Sequence, residues 1–237
     1  MGAINHSFPW TSPPQINTGI KWSNPFTLGL IGAFLPGIPI NIVDGVGLTG
    51  FSSIAPTIGN RTQGRTIVTG AIGYPPPINS TAKEAKFDLN IVTALVVAVQ
   101  DSPENANEIL YRGNGSSSAG WAVGLHGGSF NGVYAVMGSW STAGTGAVST
   151  TAPRVAVVRG DGSTASAFID GVLVDSGSYT APSYQYDTVN ERRMIFGSLS
   201  GLGKQNQSRP SLGLVWNRPL SDSDIRTISA NPWQLFA

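Results

Sequence analysis

The chain has 237 residues, with 14 Lys and Arg against 13 Asp and Glu for a net charge of +1, and it contains no cysteine. Disulfides and thiolate metal sites are therefore excluded. Its only lysines, Lys21, Lys83, Lys86 and Lys204, form no basic run on which a nucleic acid could seat. A chain of this length buries roughly 70% of its extended surface, and all-β chains of this size often form one domain.

Residues 1–20 read as an extended arm. Phe8 to Pro14 holds three prolines and two large aromatics, and proline cannot donate to the centre of a sheet. Phe8 and Trp10 are the expected anchors of this arm, either on the chain's own body or on a neighbour. Met1–Pro14 lacks the charged start and apolar run of a secretory signal. Residues 21–237 then form a single domain. Pro25–Val43 is the most apolar long stretch, but Pro25, Pro36 and Pro39 make it a buried strand with turns and not a membrane span.

The first strand is expected over Phe26–Phe34, followed by a turn-rich run over Asn41–Phe51 with Asp44-Gly45 at a turn. Short strands follow at Arg65–Val68 and Ala71–Tyr74, then a rigid Tyr74-Pro-Pro-Pro connector. Phe87–Gln100 is the longest β-branched run. It begins with alternation and turns continuously apolar, the pattern of a strand crossing the centre of a sandwich. Its Val, Ile and Thr content disfavours a buried helix. Ser102–Asn107 reads as a loop, Ile109–Arg112 as a strand and Gly113–Gly120 as a turn. Trp121–Leu125 and Val133–Gly138 form a hairpin. Ser139–Ala152 reads as a Gly/Ser/Thr loop that contains Trp140.

Arg154–Gly177 is organised by two Asp-Gly pairs, Asp161-Gly162 and Asp170-Gly171. Asp-Gly between β-rich runs is a strong hairpin signal, because the tight turn needs positive φ. The expectation is a meander of strands 154–159, 163–169 and 172–175. Val155 and Val157 share one face, as do Ala165, Ala167 and Ile169. Ser178–Asn190 is a loop with Tyr179, Tyr184 and Tyr186. Arg192–Ser198 and Ser211–Asn217 are strands. Ser221 opens the one expected helix, its hydroxyl capping and Asp222 and Asp224 in the first turn. Ile225 and Ile228 face inward, and Asn231-Pro232 ends it.

Phe168-Ile169-Asp170-Gly171, the Met194–Ser198 strand and Leu214-Val-Trp-Asn-Arg-Pro-Leu-Ser-Asp-Ser-Asp-Ile resemble the laminin-G-like (concanavalin A-like) jelly-roll family. The opening Lys21-Trp-Ser-Asn-Pro-Phe-Thr-Leu-Gly-Leu and the tail Asn231-Pro-Trp-Gln-Leu-Phe resemble a subset found in virion proteins of tailed bacteriophages. Over roughly residues 20–237 the resemblance implies an all-β antiparallel jelly-roll sandwich with a short C-terminal helix.

Some members of that fold class are glycanases with an E-x-D-x-x-E strand, since glycoside hydrolysis needs two carboxyls at a defined separation. Glu84, Glu104, Glu108 and Glu191 are the only glutamates, and none forms that pattern. His6 and His126 are far apart, with no zinc-binding spacing, and no G-x-S-x-G is present. Gly160–Ala165 fits G-x-G-x-x-A by letters, but it lies in a hairpin and not before a helix, so a nucleotide site is rejected. Arg159-Gly160-Asp161 is read as a turn. Asn60, Asn79, Asn114 and Asn206 open N-x-S/T triplets, read as plain loop residues. Some relatives hold calcium through loop oxygens. Asp170, Asp175 and Asp187 are the candidates here, without the dense spacing such a site wants.

The binding candidates are the aromatics Trp140, Tyr179, Tyr184 and Tyr186 in polar loops, together with Phe8 and Trp10 on the arm. No cofactor and no catalytic residue is expected. The resemblance and the missing catalytic set together imply a virion structural protein on the particle surface, made in the host cytoplasm. The leading expectation is a decoration protein that binds the major capsid protein and other copies of itself, with a trimer one form. The alternative is a glycan-binding module of a tail or fibre.

Overall fold

The computed structural model describes residues 19–51, 57–61, 64–69, 71–73, 86–100, 106–112, 120–126, 132–143, 152–182, 184, 194–197 and 208–237. The expectations for Phe8, Trp10, Tyr186, Asp187, Glu84, Glu104 and Glu191 lie outside these residues, as does the Pro75–Pro77 connector.

The described strands are β1 (Leu30–Phe34), β2 (Thr49–Phe51), β3 (Thr57–Arg61), β4 (Gly64–Thr69), β5 (Ala71–Gly73), β6 (Val92–Gln100), β7 (Ala106–Arg112), β8 (Trp121–His126), β9 (Gly132–Met137), β10 (Trp140–Ala143), β11 (Arg154–Gly160), β12 (Thr164–Ile169), β13 (Val172–Ser178), β14 (Met194–Gly197) and β15 (Ser208–Trp216). One α-helix follows, α1 (Asp222–Ala230). A six-stranded sheet runs β1-β15-β6-β11-β12-β13 and a seven-stranded sheet runs β10-β9-β8-β7-β14-β5-β2, with β3 and β4 a separate pair. All the pairings described are antiparallel. The fold is an all-β jelly-roll sandwich with one short helix.

The six-stranded sheet is covered on both faces. One face meets the seven-stranded sheet through Val96, Ala98, Ala156, Val158, Ala165 and Ala167, packed with Phe34, Phe87, Trp121 and Phe196. The other carries Leu95, Val97, Val155, Val157, Phe168 and Leu214 against Leu220, Ile225, Ile228 and Leu235 of the C-terminal segment. Burial on both faces explains why β6 is continuously apolar where a half-exposed strand would alternate. Its polar residue Thr93 is fully buried and its hydroxyl is satisfied by the turn beyond β15. It donates to Arg218 O at 2.9 Å and accepts from Leu220 N at 2.9 Å.

The meander has the expected form. Ile169 pairs with Val172 across Asp170-Gly171, and both turn residues have positive φ, 50° and 78°. That is the two-residue hairpin whose twist matches its strands. At the other turn, Asp161 Oδ1 accepts from Ser163 N and Thr164 N at 2.9 and 2.7 Å, an Asx turn closed by side chain. Val155 and Val157 face the helix side, whereas Ala165, Ala167 and Ile169 face the inner core. β13 is the last strand of its sheet. A register shift opposite Ala167 and Phe168, and Asp175 set opposite the inward-facing Ala167, blunt that edge against further pairing.

Several boundaries differ from expectation: β7 starts at Ala106, inside the expected 102–107 loop, because residues 106–108 pair with 124–126 of β8, and β13 and β15 are longer than expected, running to Ser178 and from Ser208. The first strand starts at Leu30, because Asn24 Oδ1 accepts from Phe26 N and caps a 3₁₀ turn over Pro25–Thr27. β6 starts at Val92 because Phe87 O, both backbone groups of Leu89 and Asn90 O are taken up by side chains: Trp121 Nε1 donates to Phe87 O at 3.0 Å, Tyr184 Oη meets Leu89 and Tyr179 Oη donates to Asn90 O. Trp140 is not a loop residue but opens β10, paired with Met137. In α1, Ser221 Oγ accepts from Asp224 N at 3.1 Å while Asp224 Oδ2 accepts from Ser221 N at 3.2 Å, a reciprocal cap. Ile225 and Ile228 are buried.

Candidate functional site

At one end of the sandwich four chain segments converge on the expected aromatics. They are the approach to β6 (residues 86–91), the β9–β10 turn, the β11–β12 turn and the segment after β13. The structure brings Trp140, Tyr179 and Tyr184 to this rim, where the two tyrosine hydroxyls hold backbone groups and Trp140 packs over Gly177.

Tyr179 Oη accepts from Gly162 N at 2.8 Å and donates to Asn90 O. It clasps the β11–β12 turn to the start of β6. Tyr184 Oη donates to Leu89 O at 2.8 Å and accepts from Leu89 N at 3.2 Å. Trp140 lies so close over Gly177 that a Cβ there would come within 2.8 Å of its indole. In the β9–β10 turn Ser139 Oγ accepts from Thr180 N at 2.7 Å. Gly138 has φ +55°, and a Cβ on it would sit 2.0 Å from Thr180 O. Only glycine fits there.

Electrostatics agree with a structural role. Burial raises the phenols of Tyr179 and Tyr184 above their ordinary range, so both stay neutral donors. Asp161 is held below the usual carboxylate range, first by Thr164 N–H and then by Ser163 N–H. Its charge is committed to its own turn. Beneath the rim the Arg112 guanidinium meets Asp88 Oδ1 at 2.6 Å and lies 5.7 Å from the centre of the Tyr184 ring. Arg112 is almost fully buried. The sequence reading missed this pair. The available signal was alternation along β7, which places Arg112 inward with Leu110, where a charge needs a partner.

What the rim presents outward is Asn90, Ile91, Asp161, Gly162, Ser163, Ser139, Thr180 and Ala181. It is a fixed surface of hydroxyls, carbonyls, one isoleucine and the single carboxylate of Asp161. Of the calcium candidates, Asp170 is engaged by Arg154 and by Val155 N at 2.9 Å. Asp175 Oδ1 accepts from Ser176 N. Among the described residues no three His, Asp or Glu side chains gather into a group able to hold a metal ion. None of the described helices is long and apolar enough to cross a membrane.

No protein-family model matches the sequence, and no curated protein matches it. Solved structures do. A sialidase from Trypanosoma rangeli superposes with a TM-score of 0.61 at 16% identity over 87% of this chain and 33% of its own. Domain 4 of AbnA, an extracellular GH43 arabinanase from Geobacillus stearothermophilus in complex with arabinotriose, superposes with a TM-score of 0.61 at 10% identity over 84% of this chain and 98% of its own. The binding domain of botulinum neurotoxin serotype D superposes with a TM-score of 0.56 at 9% identity over 85% of this chain and 51% of its own. What these likenesses carry is the fold. This chain spans a third of the sialidase and nearly all of the arabinanase domain.

Proposed function

We propose that this chain is a non-catalytic glycan-recognition module carried on a bacteriophage particle. The observation that carries the reading is the build of the rim: the hydroxyls of Tyr179 and Tyr184 are spent on fixing loops, and the surface they fix is hydroxyl- and carbonyl-rich with Asp161 its one charge. A preorganised polar surface of this kind suits hydroxylated ligands, because little ordering accompanies binding. Loops at the end of a rigid sandwich are where such recognition usually resides. The reading draws support from two of the similar folds, one a domain in complex with arabinotriose and one a toxin's binding domain. The phage setting rests on the sequence resemblance of the Lys21–Leu30 opening and the Asn231–Phe236 tail.

The test is a glycan array spanning bacterial surface polysaccharides, read with the full chain. Saturable binding to a restricted set is expected. No binding to any glycan removes the reading.

A second reading, a decoration protein on the capsid shell, is favoured by the Pro- and aromatic-rich stretch Phe8–Pro14. Copy number per particle separates the two: hundreds for decoration, few for a tail or fibre module.

A further inference from the structure

The residues before β1 form a second surface, distinct from the aromatics that the sequence singled out. Lys21 N donates to Leu235 O at 2.8 Å and Asn24 N to Lys21 O at 2.8 Å, so Trp22 sits inside a closed turn. Asn24 Nδ2 donates to Gln234 O at 3.1 Å. Thr27 Oγ1 donates to Asn24 O at 2.7 Å, and Trp216 Nε1 donates to Phe26 O at 2.7 Å. The loop is thus tied to both the C-terminal segment and β15.

On this loop Trp22 and Leu28 are 59% and 72% exposed. Trp22 is the one large aromatic so exposed among the described residues. None of the loop's hydrogen bonds uses its indole; they use its backbone. One cation lies on this loop and another is bonded to its far end. Arg218 Nε donates to Leu28 O at 2.7 Å, and among the described residues its two terminal nitrogens have no partner. The Lys21 ammonium, next in sequence to Trp22, likewise has none among the described residues. Lys21, Ser23 and Asn217 around the two apolar side chains are exposed.

We propose that Trp22, Lys21 and Arg218 form a subsite for a carboxylated sugar, the indole stacking on the ring and the two cations taking its carboxylate. An indole has a flat apolar body suited to the C–H face of a pyranose. A guanidinium fork matches a carboxylate in a bidentate manner. The fixed turn holds the indole in place before the ligand arrives. This subsite rests on the glycan-recognition reading and names the class of sugar and the residues that read it.

The experiment is calorimetric titration of the full chain with uronic-acid and sialic-acid oligosaccharides, each compared with its carboxyl-reduced form. The acid forms are expected to bind at least tenfold tighter, with the difference shrinking in high salt. Trp22→Ala is expected to lose at least tenfold in affinity toward both forms. Lys21→Gln and Arg218→Gln are expected to lose the preference for the acid. Lys21→Gln leaves every bond described above in place, so an unchanged thermal melt certifies the fold. If the wild type binds glycans without preferring the acid, or binds an acidic glycan that Trp22→Ala holds equally well, the subsite is wrong and the broader reading stands. If the wild type binds no glycan, both fall together.

Discussion

Tyr184 shows what a single side chain does at the rim. Its hydroxyl satisfies both the amide and the carbonyl of Leu89, a residue whose backbone has left the strand ladder. Replacing it by Phe takes the donor from Leu89 O, at a cost of about 1–3 kcal/mol for an unmet polar group, while Leu89 N keeps Phe87 O at 3.0 Å. Chemical denaturation of Tyr184→Phe should show that loss, with the far-ultraviolet spectrum unchanged. The pH dependence has a definite sign. Burial raises the folded-state phenol pKa above that of the unfolded chain. The stabilisation is therefore fully present below the ordinary tyrosine value, roughly 10, and is lost as the pH rises through the folded value. The alkaline limb of stability against pH should be shallower in Tyr184→Phe than in the wild type. An equal limb in both proteins would mean that Tyr184 ionises no later when folded than when unfolded. The sequence placed Tyr179 and Tyr184 correctly in a polar segment after the meander. It could not show that their hydroxyls face inward, because their partners at residues 89, 90 and 162 are backbone groups with no signature of their own. Trp140 was misplaced for a related reason: flanking Gly, Ser and Thr read as loop, yet pairing with β9 makes a strand of it.

At the scale of elements, local chemistry and tertiary pull are separable. The Asp170-Gly171 hairpin and the Ser221 cap were legible because each needs only neighbouring residues: positive φ in one, an oxygen facing free amides in the other. The start of β6 was not legible, since Trp121 and Tyr184 claim the backbone of residues 87 and 89 from far along the chain. The cap itself can be tested. Ser221→Ala removes the acceptor for Asp224 N and is expected to cost about 1 kcal/mol, within the usual range for a lost cap. Ser221→Asp should restore most of it, because a carboxylate also caps and favours the positive end of the helix dipole. Thermal denaturation of the pair checks this. Equal melting of Ser221→Ala and the wild type would show that the Asp222 contact to Arg159, at 2.5 Å, holds the helix start unaided.

For the whole molecule the decisive feature is that the six-stranded sheet lies between two cores. A two-layer sandwich needs only its inner faces apolar, but here the outer face of this sheet is also greasy and the C-terminal segment is its cover. Leu220, Ile225, Ile228 and Leu235 are all buried there. Arg159 fastens the cover by donating to Leu220 O at 3.1 Å and to Asp222, with its guanidinium over Phe168 at 5.0 Å. Burying each such aliphatic side chain contributes about 1.5–3 kcal/mol. Four of them amount to a large share of a typical folding margin of about 5–15 kcal/mol. Truncating the chain after Arg218 should therefore do more than remove an appendage. It should expose Val155, Val157 and Leu214 to water and leave the Thr93 hydroxyl without its Leu220 partner. The expected product binds a hydrophobic dye, self-associates on a sizing column and melts without a sharp transition. A truncated protein that stays monomeric and melts cooperatively near the full-length temperature would show that the sandwich stands without its second core. It would also release the loop around Trp22, now bonded to Leu235 and Gln234, so glycan affinity measured on the same sample reports whether recognition depends on that cover.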